Sequence, residues 1–161
     1  MNRNINVVTD ELNKIEERRK LALSATNTGI WDWDIIKDTL TWDEAMLDIY
    51  GLTAKQFGGR YEAWTSLLHP DDLKHTTGAL HRCLSDPSKA YFYRFRINRL
   101  GETRVVSGFG NCIRDKDGKP IRMVGINILE PPHCVEHDER AKRNDPCDIC
   151  PSRFMKMYET V

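Results

Sequence analysis

The chain has 161 residues, 24 Lys and Arg against 24 Asp and Glu, and a formal net charge of zero. That length suits one domain with an appendage, and a neutral chain without a basic stripe points away from a nucleic-acid partner. The longest apolar runs are a few residues, too short for a membrane-spanning helix, and Met1-Asn2-Arg3-Asn4 leads into no apolar stretch, so no secretory signal and a cytoplasmic location are expected.

The first element is a helix over residues 8–25. Thr9 or Asp10 can cap it, and Glu11, Glu16 and Glu17 precede Arg18, Arg19 and Lys20, the charge order that suits a helix dipole. Val8, Leu12, Ile15, Ala22 and Leu23 form a narrow apolar stripe. It reads either as a short seam pairing two chains into a homodimer or as a face packed on its own domain. After Thr26-Asn27-Thr28-Gly29, the run from Ile30 to Ile35 alternates apolar and acidic residues with period 2, a strand. Lys37-Asp38 turns the chain into a second short strand at Leu40–Trp42. Asp43 to Tyr50 is a short helix stopped by Gly51, and Tyr61 to Leu68 is another. A longer helix starts at His69-Pro70-Asp71-Asp72, with Asp71 as the expected cap, and runs to about Leu84.

Tyr91 to Ile97 alternates again, with Tyr91, Tyr93, Phe95 and Ile97 on one face and Arg94 and Arg96 on the other. Two further β-rich runs, Thr103–Arg114 and Ile121–Leu129, flank Asp117-Gly118, where glycine can take the positive φ of a hairpin turn. Hairpin, helical crossover and three-strand meander close into one five-stranded antiparallel sheet with short helices on one face. The fold class is therefore α+β.

The ordered words resemble a PAS domain with its C-terminal PAC half. They are Leu21 to Ala25 through Gly29 to Asp34, Thr41-Trp42, Tyr50-Gly51-Leu52, Tyr61 to Trp64, and His69 to Asp72. Tyr93 to Ile97, Gly101-Glu102, Asp115 to Gly118 and Arg122 to Ile126 complete the set. The organisation is then a helix or linker at 1–19, a PAS/PAC domain at 20–129 and a Cys/His-containing tail at 130–161. The resemblance implies a sensory or relay module of a signalling protein, such as a two-component sensor kinase or a cyclic-dinucleotide enzyme. It would bind a small ligand or dimerise and work with an output domain. No nucleophile triad, phosphate loop or paired-carboxylate site is visible, so catalysis is not expected of this chain.

Inner strand faces and the helix over them supply candidate pocket residues: Tyr93, Phe95, Val105, Ile126 and Leu80; the bland alternative is a closed apolar core. Light-sensing relatives carry a reactive Cys in a helical word. Cys112 lies on a strand with the rest of that word missing, so a covalent flavin is not expected. Haem-binding relatives use a His on the long helix, and His75 is nearest that place, with His81 beyond it. Helical histidines are more often plain surface residues, and haem is not expected either. Cys134, His137, Cys147 and Cys150 offer four N/S ligands, the count and chemistry of a tetrahedral zinc site, with an iron–sulfur or thiol-redox centre as the other readings, and the stretch is similar to a Cys-rich lead-in between PAS units. The alternative is a plain tail with free thiols. Pro131-Pro132 departs from the family, because two prolines cannot continue a signalling helix out of the last strand.

Overall fold

The structure, a computed structural model, describes residues 2–131, with side chains from residue 7 onward. The elements are α1 (Asn2–Ser24), β1 (Thr28–Asp34), β2 (Thr39–Trp42), α2 (Glu44–Tyr50), α3 (Tyr61–Thr65), α4 (Pro70–Ser85), β3 (Tyr91–Arg99), β4 (Glu102–Arg114) and β5 (Pro120–Leu129). The five strands form one sheet in the order β2-β1-β5-β4-β3, with every neighbouring pair antiparallel. The last strand thus lies beside the first, and the fold is the expected α+β sheet.

Local chemistry sets the element ends. Asp43 caps α2 by accepting the Met46 backbone N–H at 2.9 Å. Gly51 ends the same helix in the left-handed region at φ 67°, where a side chain would be strained. The β4–β5 loop is wider than a two-residue turn. The Asp115 carboxylate gathers the backbone N–H groups of Asp117 and Lys119, and Gly118 takes φ 81°.

At the start of α4 the expected cap is corrected. Pro70 fixes the first helical position, so His69 is the cap, and its Nδ1 accepts the Asp71 backbone N–H at 3.3 Å. Asp72 turns away from the helix end to Arg96 on β3, accepting its backbone N–H at 2.7 Å and its Nε–H at 2.9 Å. The α3 helix is shorter than expected. Leu68 leaves it to bridge to Ile97, and the chain straightens into Pro70.

The register decides which residues meet the helices. Trp31 pairs with Gly125 and with Trp42, and Trp33 with Met123 and Leu40, so these face inward together. Phe95 opposes Val106, and Ile97 is fully buried beside them. Met46, Ile49 and Tyr50 of α2 and Ala79, Leu80 and Cys83 of α4 cover this face. Each fully buried side chain of Leu, Ile or Phe size contributes about 2–3 kcal/mol. The opposite face carries Asp32, Arg122, Ile126 and Phe109. There Glu130 is buried at the end of β5.

An aromatic cleft as candidate functional site

All four tryptophans of the chain line one cleft between the sheet and the short helices. Trp31 and Trp33 come from β1, Trp42 from β2 and Trp64 from α3, joined by Tyr61 and Tyr91. Leu40, Met46, Leu80 and Asn127 fill the walls between them. The void has a volume of about 30 Å³, room for roughly two or three water-sized spheres.

The floor is cut by glycine. Gly110 and Gly125 oppose each other across β4 and β5, and a Cβ on either would overlap the Trp31 ring. Their bare backbone lets the indole lie down on the sheet. Rings then pack on rings. Trp31 meets Tyr91 edge-on at 6.1 Å between centroids, and Tyr61 meets Trp64 edge-on at 5.6 Å. Trp42 stacks on Phe57 at 3.6 Å.

The indole N–H groups of Trp31, Trp33 and Trp64 are taken up by the protein. Trp31 Nε1 donates to Asn127 Oδ1 at 3.1 Å, Asn127 Nδ2 donates to the Tyr50 hydroxyl at 3.0 Å, and Trp64 Nε1 donates to the same hydroxyl at 3.2 Å. Burial pushes the Tyr50 phenol far above its ordinary pKa, so it stays a neutral acceptor. The Tyr91 hydroxyl is buried with no partner among the described residues, and burial raises its pKa well above the usual value too. Trp33 and Tyr61 are half-buried and stack at 5.1 Å, forming the rim. Asp38 Oδ1 ties the rim, accepting Trp33 Nε1–H at 3.1 Å and the Tyr61 backbone N–H at 3.3 Å.

Of the five expected pocket residues, Leu80 lines the cleft. Phe95 is in the core, edge-on to Trp64 at 6.1 Å, and Tyr93 packs against that core. Val105 and Ile126 are corrected by register. Val105 opposes Arg96 and Ile126 opposes Phe109, which puts both on the other face of the sheet. The tryptophans and Asn127 were the residues to find. The signal available was the inward parity of positions 31 and 33 in the first strand.

His75 and His81 are exposed on α4. Cys112 is a half-buried residue of β4 opposite Met123. Cys134, His137, Cys147 and Cys150 lie outside the described residues. Among the described residues no group of three or more His, Cys, Asp or Glu is placed to hold a metal ion. None of their helices is long and apolar enough to cross a membrane.

A five-stranded antiparallel sheet with short helices closing an aromatic cleft over one face defines an α+β domain. The PAS fold family matches residues 39–127, over half of the chain, and the chain belongs to that family. It is similar to a sensory box histidine kinase/response regulator from Burkholderia thailandensis E264, with 26% identity and a TM-score of 0.63 over 78% of this chain and 92% of that one. The N-terminal domain of a diguanylate cyclase with PAS/PAC sensor from Marinobacter aquaeolei shares the fold, with 14% identity and a TM-score of 0.58 over 68% of this chain and 98% of that one. The probable diguanylate cyclase DgcE of Escherichia coli (strain K12) is 26% identical over 121 residues, which are 74% of this chain. The chain spans about a tenth of that relative's length, 11%. This is the PAS sensor domain found in signalling proteins, and the matched region carries the sensor fold.

Proposed function

We propose that the chain is the sensory and relay module of a signalling protein, a sensor histidine kinase, a diguanylate cyclase or a related protein, and that the aromatic cleft takes its small ligand. The observation that supports this is the cleft itself: an apolar recess with a few convergent polar atoms, between the sheet and the short helices. Met46 lines it from α2. The cap of α2, Asp43, lies 3.8 Å from Arg19 of α1. A ligand that shifts α2 against the sheet would therefore bias how α1 sits, a change of population between two packings.

Thermal-shift screening of the whole chain against a small-molecule panel, with native mass spectrometry, tests the reading. Expected is at least one compound that stabilises the wild type and loses its effect in Trp64→Leu. No stabilising compound, together with bare protein mass from native cells, would count against it.

Pairing is the second part of the proposal. Val8, Leu12 and Ile15 are all about 60% exposed on α1, an apolar stripe that no described residue covers. Two such helices from two copies would bury each other. Sedimentation equilibrium should give a dimer for the wild type and a monomer for the double variant Leu12→Glu, Ile15→Glu. A monomeric wild type at tens of micromolar would refute pairing.

A further inference from the structure

The chemistry of the cleft walls selects a ligand class. Among the described residues no Lys, Arg or His lines the cleft, so a carboxylate or phosphate would be buried there without a countercharge, which is strongly unfavourable. Aromatic rings face the void instead. A ring carries negative potential on its face, and a cation held over Trp or Tyr is attracted to it, most strongly where water is excluded. The indole N–H groups of Trp31, Trp33 and Trp64 are bound to protein acceptors. What those three rings leave to a guest is therefore mainly faces and carbon edges.

Two further groups point the same way. Asp38 is a carboxylate at the rim, bonded to both rim residues, and it adds negative potential where a guest would enter. The buried hydroxyl of Tyr91, with no partner among the described residues, is a neutral polar group at the wall. Leaving it unmatched is unfavourable, and an oxygen on a guest would offset that.

Resting on the reading of the cleft as the ligand site, we propose that its ligand is a small methylated ammonium compound bearing a neutral oxygen, of the choline type. The methylated head would lie among the tryptophan faces. A bare ammonium fits less well, because it needs several hydrogen-bond acceptors at once, and on these walls, among the described residues, the Tyr91 hydroxyl is the polar side-chain atom found without a partner. The void is small, so the Trp33–Tyr61 rim must part to admit the head and then close over it.

The test is a matched pair on the whole chain. Choline and its uncharged isostere 3,3-dimethyl-1-butanol are titrated by calorimetry and by the indole N–H resonances. Expected is choline binding at least tenfold tighter than the isostere, with Asp38→Asn reducing the choline affinity several-fold and the isostere affinity little. Equal affinity for the two compounds overturns the assignment of a cation, and so does an unchanged choline affinity in Asp38→Asn that folds with the wild-type melting temperature. If indole or another neutral compound binds at these tryptophans while choline does not, the cation assignment fails and the sensory reading stands. If nothing in the wider panel moves the tryptophan resonances, both fail. The wild-type pair needs no variant, so a misfolded Asp38→Asn does not remove the test.

Discussion

Glu130 grips Arg94 on the sheet face away from the cleft. Arg94 Nε donates to both carboxylate oxygens at 3.0 Å and Nη2 donates to Oε2 at 2.9 Å, while Ser107 Oγ donates to Oε1 at 2.6 Å. The Glu130 backbone N–H adds a bond to the Val105 carbonyl at 3.0 Å. The chain leaving β5 is therefore pinned to β4 and β3 at the point where Pro131 follows.

Removing Glu130 takes three hydrogen bonds and a countercharge from the Arg94 guanidinium. Its side chain is 26% exposed against 5% for Glu130, so water recovers part of the loss. Glu130→Ala is expected to lower stability by about 2 kcal/mol, below the range for a fully buried pair. Urea unfolding checks it, with the midpoint falling and the slope unchanged. A loss under about 0.5 kcal/mol, the usual size for surface changes, would show that the pair does not hold the exit.

Asp72 makes stability depend on pH in acid. Burial pushes its carboxyl up, but hydrogen bonds and charge from Arg96 outweigh that, and the net pKa is lowered. A group depressed in the folded state contributes stability above its unfolded pKa, about 4, and loses it as pH falls through the folded value. The stability gap between wild type and Asp72→Asn should be constant above about pH 5 and shrink below about pH 4. A gap that stays constant to pH 2 would contradict the pairing with Arg96.

Gly125→Ala should be among the most damaging single-methyl additions. The new Cβ would collide with the Phe109 carbonyl and the Trp31 ring, and a backbone atom cannot step aside. Overpacking of this kind costs about 1–3 kcal/mol or more. Both the unfolding midpoint and the Trp31 indole resonance should move. Unchanged resonance and stability would mean that the ring does not rest on the glycine trough.

Cys83 and Cys112 should be sluggish thiols. Burial raises the pKa of both, with each other's proximity a further cause for Cys83 and Arg114 partly opposing it in each case. In a variant with Cys134, Cys147 and Cys150 changed to Ser, alkylation at pH 7.5 should be slower than for a free cysteine, slowest at Cys83. Rapid modification of Cys83 in folded protein would contradict its burial.

The fold was legible where local chemistry and period agree. Gly51, Asp43 and the Asp117-Gly118 turn mark ends by backbone demands that sequence states directly. Alternation placed Tyr91, Phe95 and Ile97 inward correctly. Two places misled, for physical reasons. Arg104-Val105-Val106-Ser107 has adjacent valines, so alternation is silent and only pairing with β3 tells Val106 inside from Val105 outside. In β5 the usual pattern is reversed: Ile126 and Ile128 face away from the helices, while polar Asn127 faces in to bridge Trp31 and Tyr50. That bridge joins residues 96 and 77 positions apart, and no local signal carries it.

The central claim, that the aromatic cleft is where this PAS domain takes a ligand, is tested most directly by the four tryptophan indole N–H resonances in a titration series. A binding compound should shift Trp31, Trp33 and Trp64 together, saturably, with one affinity. Shifts confined to backbone amides of the Phe109–Ile126 face, or none across the series, would contradict it.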